Sequence, residues 1–432
     1  MIIDILEKTS KHDVEVHDNM IILGQNAKEA YTTLSLASTE QKNNALRAAA
    51  KAIRESANEI MQANEKDLQI AKKAEKPASY LDRLALSPVR IESMAKGLEA
   101  VAELPDPVGK ILANWDRPNG LKINRVSVPL GVIGVIYEAR PNVTADAGAL
   151  CLKSGNAVIL RCGSDSFNSS RAIEKALQKG LETAGLPKTA IQLVPTSDRS
   201  AVTEMLQMTD YIDVIIPRGG RSLTEKIKNE SRIPTFQHLD GNCHTYIHAS
   251  ANPQMAVDVV VNAKMRRTGI CGATESLVID EAIIDVILPK IVEALTAQNC
   301  EIRGDERAQL TDKRIRPANP ADWFKEYLEP IISVKTVSGL EAAIEHVNLY
   351  SSHHTDAIIA DDAKTSAEFL NRIDSAIVMH NASTQFADGG EFGMGAEIGI
   401  STGRLHARGP VGVEQLTTFK YIVEGNGQTR PA

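Results

Sequence analysis

Between residues 38 and 64 apolar side chains recur every three or four positions. Leu46, Ala49, Ala50, Ile53, Ala57 and Ile60 form one stripe, which predicts an amphipathic helix capped at Ser38 or Thr39. The period returns in "SPVRIESMAKGLEAVAEL", where Ser87 caps, Pro88 takes the first helical position, and Ile91, Met94, Ala95, Leu98 and Ala102 face inward. From residue 131 the pattern changes. "GVIGVIYEA", "NAVILRCG", "AIQLVP" and "IDVIIPRGG" are short runs rich in Val and Ile without polar alternation, as expected of strands buried on both faces. Helical segments separate them, so the pattern predicts a parallel α/β sheet that receives ligands at the C-terminal ends of its strands. A second α/β block runs from "PTFQHLDGNCHTYIH" to "DSAIVMHNAS", with strands in "ESLVID" and "TDAIIAD".

Asn119-Gly120 lies between two strand-like arms and predicts a tight hairpin turn. Its second arm, "LKINRVSVPL", is long, and two outcomes stay open: a ribbon that projects and pairs with another subunit, or one that folds back on its own domain. A glycine-rich stretch from residue 388 precedes a last strand in "LTTFKYIV".

The length of 432 residues leaves room for two large domains. A net charge of -7 argues against a nucleic-acid partner, which needs a concentrated basic face. There is no run of 18 apolar residues and the first 18 residues are too charged for a signal peptide, so a cytoplasmic protein without a membrane partner is expected. Five cysteines, an odd number with no C-x-x-C pair, point to reduced thiols.

Cys271 stands between glycines in "RRTGICGATES". Small neighbours permit close approach of a ligand, and Arg266 and Arg267 would favour the thiolate. A buried, inert thiol is the alternative. In "YEARPNVT", Asn142 precedes a helix beginning near Val143 or Thr144, so its amide either caps that helix or donates to a developing oxyanion. "PRGGRS" puts Gly219 and Gly220 between strand and helix, which suits a phosphate or merely makes the turn. Neither a Walker loop nor G-x-G-x-x-G is present. His244 and His248 are four apart, but on a strand rising about 3.3 Å per residue they cannot meet one ion, and no metal site is expected. His353 and His354 read as loop residues with a smaller prospect of meeting substrate.

Together "YEARPNVTADAGALCLKSGNAVILR", "HLDGNCH", "VNAKMRRTGICGATESLVID", "HVNLYSSHHTDAII" and "FGMGAEIGISTGRLHARGPVGVEQLTTFKY" resemble the aldehyde dehydrogenase superfamily, in particular its reductases of acyl phosphates, from about residue 23 onward. The resemblance implies an α/β fold with a parallel-sheet cofactor domain, an α/β catalytic domain and a β-hairpin oligomerisation element. The expected divisions are an extension over 1–22, an NADP-binding domain over 23–235 with a projecting hairpin at 111–130, a catalytic domain over 236–385, and a return segment over 386–432 that ends in an oligomerisation strand. It further implies Cys271 as catalytic thiol and Asn142 in the oxyanion hole. Arg161, Ser164, Arg218, Gly219 and Gly220 would meet NADPH, and Arg266, Arg267 and His353 the substrate. Arg161 could pair with a 2'-phosphate, which Asp165 nearby would oppose. His238 takes the place of the glutamate with which aldehyde oxidisers hydrolyse their thioester, and no carboxylate base is evident. The implied reaction is reduction of L-glutamyl 5-phosphate to glutamate 5-semialdehyde, the second step of proline synthesis from glutamate, with glutamate 5-kinase as a possible partner and a homodimer or its multiple as the assembly. A phosphate-independent aldehyde dehydrogenase and a catalytically silent nucleotide-binding paralogue are the alternatives.

Overall fold

The computed structural model describes residues 2–431, with side chains described from residue 14 onward except at Ser79. Two compact units result. The first runs to Phe236 and takes back Met394–Gly399 and the segment from Val411; the second holds Gln237–Gly393 and Ile400–Pro410.

In the first unit the predicted stripe becomes two helices, Thr39–Glu55 and Ala57–Lys73, separated at Ser56. Ser38 and Gln41 close a capping box at the start. Leu46, Ala49, Ala50, Ile53 and Ile60 are buried, as are the five inward residues of helix Pro88–Glu103. The expected extension does not stand apart. Helix Ile2–Leu34 passes through residue 22 without a break, and Val16 and Met20 pack in a core cluster with Ile136, Ile159 and Ile215. The buried positions Val16, Met20, Ala27, Ala30 and Leu34 keep a helical spacing across that point.

The strands of this unit are β1 (Ile111–Asp116), β2 (Lys122–Pro129), β3 (Val132–Tyr137), β4 (Ala157–Cys162), β5 (Ile191–Leu193) and β6 (Val214–Arg218). β3 to β6 form a parallel sheet of order β5-β4-β3-β6. The chain builds outward from β3 to β5, then crosses back to β6. That reversal puts the topological switch point, where sheets of this kind receive ligands, at the C-terminal ends of β3 and β6, where the segments after Tyr137 and Arg218 begin.

The second unit contains β7 (Cys243–Ile247), β8 (Thr274–Asp280), β9 (Glu301–Gly304), β10 (Arg316–Pro317), β11 (Ile331–Val337), β12 (Thr355–Ile359) and β13 (Ile377–His380), in a parallel sheet of order β10-β9-β11-β8-β7-β12-β13. Its alternate residues serve two cores. Ile247, Leu277, Ile279 and Ile359 pack with helix Ile284–Thr296, while Tyr246, Val278 and Ile358 pack with helices Leu340–Tyr350 and Ala363–Arg372.

In the returning segment β14 (Ile400–Ser401) pairs with β15 (Gly409–Pro410), and β16 (Thr417–Glu424) pairs with β2 along its whole length. The hairpin turns at Gly120, with φ +87°, and its second arm is therefore covered by the chain's own last strand. The free edges of sheet β1-β2-β16 lie on β1 and β16. Ile111, Trp115, Phe419, Tyr421 and Val423 are exposed there, and the Trp115 ring meets Tyr421 edge-on at 6.2 Å between centroids. Among the described residues no helix is long and apolar enough to cross a membrane.

Candidate active site

Three loops of the second unit lead into the adjacent strands β8, β7 and β12. They carry Cys271, His238 and His354, whose ligand-capable atoms all lie within 4.8 Å of one another. The two imidazole rings meet edge-on, 5.0 Å between centroids. His238 Nδ1 lies 2.7 Å from the carbonyl oxygen of Ile400. A carbonyl only accepts, so that nitrogen carries its proton there, and Nε2 is the ring atom left for other contacts. His354 is fully buried, with Nδ1 2.9 Å from Thr355 Oγ1.

Cys271 is partly accessible, whereas the other four cysteines are buried. Burial opposes a thiolate at Cys271, but the positive charge of His354 and contact with both imidazoles outweigh it and hold the thiol well below its ordinary value. The arginines expected to do this are not the main source: Arg266 and Arg267 are exposed, and Arg266 Nη1 bonds Gln385 Oε1 at 3.3 Å. Burial pushes the Cys162 and Cys300 thiols up to about 12 and Cys243 well above its ordinary value. Iodoacetamide at pH 7 is accordingly expected to modify Cys271 at least about tenfold faster than any other cysteine, as peptide mapping by mass spectrometry would measure.

The nucleophile loop is held at both ends. Lys264, near the end of helix Pro253–Met265, and Glu275, the second residue of β8, form a fully buried ion pair. Glu275 also accepts from the Leu328 backbone N–H at 3.2 Å. Gln385 Nε2 donates to the carbonyls of Ala263 at 2.8 Å and Arg267 at 3.3 Å. Gly241 passes so close that a Cβ there would stand 2.2 Å from the Cys271 carbonyl oxygen. A side chain at 241 would displace the thiol's own backbone.

One neighbour of the thiol was named in the sequence only beside His353, and another escaped it. His354, not His353, joins it. His353 has left-handed backbone at φ 59°, and its side chain lies outside the cluster. The second is Glu326, a carboxylate where none was evident. Burial raises it, the negative charge of Cys271 raises it further, and a bond from the Gly241 backbone N–H opposes both. A lone glutamate in "KEYLEP" belongs to no motif that would announce it.

The remaining candidates belong to the first unit. Helix Asn142–Lys153 starts at Asn142 itself, one residue earlier than expected, and the Asn142 side chain does not cap it. Its Nδ2 donates instead to Asp146 Oδ2 at 2.9 Å. Burial pushes the Asp146 carboxyl up to about 6, with Asn142 and Arg218 opposing, so the ends of β3 and β6 converge on this carboxylate. Arg161 is buried, and its Nη2 donates to the carbonyls of Ser197 and Asp198, both at 3.0 Å. The Nε atoms of Arg161 and Arg218 are buried without a hydrogen-bond partner. Ser164 is exposed in the turn after β4. Gly220 caps helix Arg221–Glu230, and its N–H is 3.3 Å from Glu138 Oε2, so a carboxylate already faces that helix start. His244 lies in β7 and His248 just beyond it. The donors that do gather, among the described residues, are those around Cys271.

A parallel sheet with a topological reversal, and a thiol clustered with two imidazoles beside a second parallel sheet, are the framework of an α/β enzyme with a candidate thiol nucleophile. The aldehyde dehydrogenase family model matches residues 16–311, and the chain belongs to that family. Within it the chain groups with the gamma-glutamyl phosphate reductases and is an enzyme. The reductase of Rhodospirillum rubrum is 60% identical over 412 residues, 95% of this chain and 96% of its own length. That of Brucella suis is also 60% identical, over 95% of this chain and 98% of its own. The crystal structure of the Thermotoga maritima gamma-glutamyl phosphate reductase matches at a TM-score of 0.94 and 42% identity, covering 96% of this chain and all 100% of that one. An acetylating aldehyde dehydrogenase from Geobacillus thermoglucosidasius, 18% identical, shares the fold at a TM-score of 0.68 over 97% of this chain and 99% of its own.

Proposed function

We propose that the chain reduces L-glutamyl 5-phosphate to glutamate 5-semialdehyde and phosphate, the second step of proline synthesis from glutamate. The observation that carries this reading is a thiol clustered with two imidazoles, one of which, His238, by the resemblance takes the place of an aldehyde oxidiser's glutamate. The Cys271 thiolate attacks the acyl carbon, the bond to the phosphate oxygen breaks, and phosphate leaves. Asn142 is the amide assigned to the developing oxyanion. Bound NADPH would supply a hydride to the thioester carbon. The resulting thiohemiacetal oxyanion collapses to the aldehyde and returns the thiolate, so Cys271 ends as it began. Arg266, Arg267 and His353 are assigned to the substrate, with the two arginines taking its phosphate.

The residues at the ends of β4 and β6 fit such a cofactor. Arg161, Arg218 and Ser164, with Gly219 and Gly220, would hold it, and the buried Nε atoms without partners are donors available to an anionic ligand. Asp165, which would repel a 2'-phosphate, is engaged by the Tyr80 hydroxyl. The exposed sheet β1-β2-β16 is assigned to self-association, and a separate glutamate 5-kinase would supply the labile acyl phosphate.

Glu326 gives one observation in favour of a second reading, in which a carboxylate activates water and the enzyme oxidises aldehydes without phosphate. Run in reverse with glutamate 5-semialdehyde and NADP, the enzyme is expected to need inorganic phosphate or arsenate. Initial rates of NADPH formation with and without phosphate decide: phosphate-independent turnover establishes the second reading.

A further inference from the structure

We propose that His238, Cys271 and His354 form a binding site for a zinc-class divalent cation, with the Cys271 sulfur and the two Nε2 atoms as ligands. The donor set is one thiolate and two imidazoles, which suits a borderline-soft ion with tetrahedral preference and leaves a fourth position for water. The donors lie within 4.8 Å of one another. A tetrahedral zinc ion with bonds of about 2.0–2.3 Å draws its ligands to separations of roughly 3.3–3.6 Å. Rotation of the three side chains would have to supply that closure.

The contacts of the second ring nitrogens fit the outer shell of a metal site. Ligating histidines ordinarily donate their second ring N–H to a carbonyl or similar acceptor, which fixes the tautomer and aims the other nitrogen at the ion. His238 does so to Ile400 and His354 has Thr355 at the same position, 2.7 and 2.9 Å away. The Nε2 of His354 is buried with no hydrogen-bond partner among the described residues, while its Nδ1 meets Thr355 Oγ1. In the neutral ring such a nitrogen is stabilised by a metal ion that accepts its lone pair, so binding to the charged form releases a proton.

The consequence is an ion that competes with substrate for the same sulfur, so zinc reversibly blocks the nucleophile. The assignment stands on the donors alone, independent of the reaction proposed above: metal binding without turnover and turnover without metal binding are separate results. Titration of the full chain, freed of metal by chelation, with Co²⁺ is expected to saturate at one equivalent. A sulfur-to-cobalt charge-transfer band and the visible bands of a tetrahedral ion should appear, and Zn²⁺ should bleach both. Cys271→Ala is expected to lose the charge-transfer band, and Cys243→Ala to keep it. His354→Asn and His238→Asn, the latter keeping a donor for the Ile400 carbonyl, are each expected to weaken binding more than about 100-fold. One equivalent of Zn²⁺ should slow alkylation of Cys271 at least about tenfold, with recovery on adding a chelator. Absence of a stoichiometric band, a band that survives Cys271→Ala, or unchanged affinity in both histidine variants overturns the site.

Discussion

Replacing Cys271 by alanine is expected to lower phosphate-dependent NADP reduction with glutamate 5-semialdehyde at least about 10⁴-fold while leaving the thermal unfolding curve in place. The size follows from the role. On the proposed mechanism, without the sulfur there is no thioester and hence no acyl carbon held for hydride transfer, and removing a covalent nucleophile eliminates a pathway rather than weakening it. The fold tolerates the change because the side chain is partly accessible and the loop is secured by its neighbours: Lys264 to Glu275, and Gln385 to the carbonyls of Ala263 and Arg267. Cys243 cannot stand in. Its sulfur is buried against the Cys271 carbonyl oxygen, 3.0 Å away, and its thiol is held well above the ordinary value by burial. A Cys271→Ala protein as active as the parent would sink the covalent mechanism.

Lys264→Met is expected to destabilise the first urea unfolding transition by about 3–5 kcal/mol at pH 8, because it strands the Glu275 carboxylate in the core. Burial pushes that carboxyl up to about 7, with Lys264 pulling the other way. A carboxyl raised by folding contributes stability that is fullest below the unfolded carboxylate value and is lost as pH rises through about 7. Without the ammonium the carboxyl rises further, so the deficit relative to the parent is largest at alkaline pH and shrinks toward pH 5. The double variant Lys264→Met with Glu275→Leu removes the stranded charge and should recover most of the loss. Circular dichroism against urea at pH 5 and pH 8 measures this, and a deficit independent of pH would refute the assignment.

The helices and strands were legible because their apolar periods are set locally. Leu46 to Ile60 and the Val/Ile runs of β3, β4 and β6 carry their burial on their face. The site was legible only in part. Cys271 announced itself through its flanking glycines, but His238, Cys271 and His354 meet because β8, β7 and β12 are neighbours, and strand order is not written in any one loop. Between His353 and His354 nothing in composition chooses. The choice is made by the left-handed backbone at His353, which presents two adjacent rings to different surroundings. The first helix was missed in another way: the resemblance begins inside it, so its start looked like a boundary.

The three-stranded sheet also gives the molecule an optical address. The sequence holds two tryptophans. Trp115 stands 40% exposed on the open edge beside Tyr421, where its emission registers whatever comes to cover that sheet. Trp323 lies in the other unit against His346, an imidazole that burial pushes down to about 3, so that its charge does not change around the indole at ordinary pH. A phenylalanine at either position therefore leaves a single emitter, and association at the sheet and events in the thiol-bearing unit can be followed by colour alone.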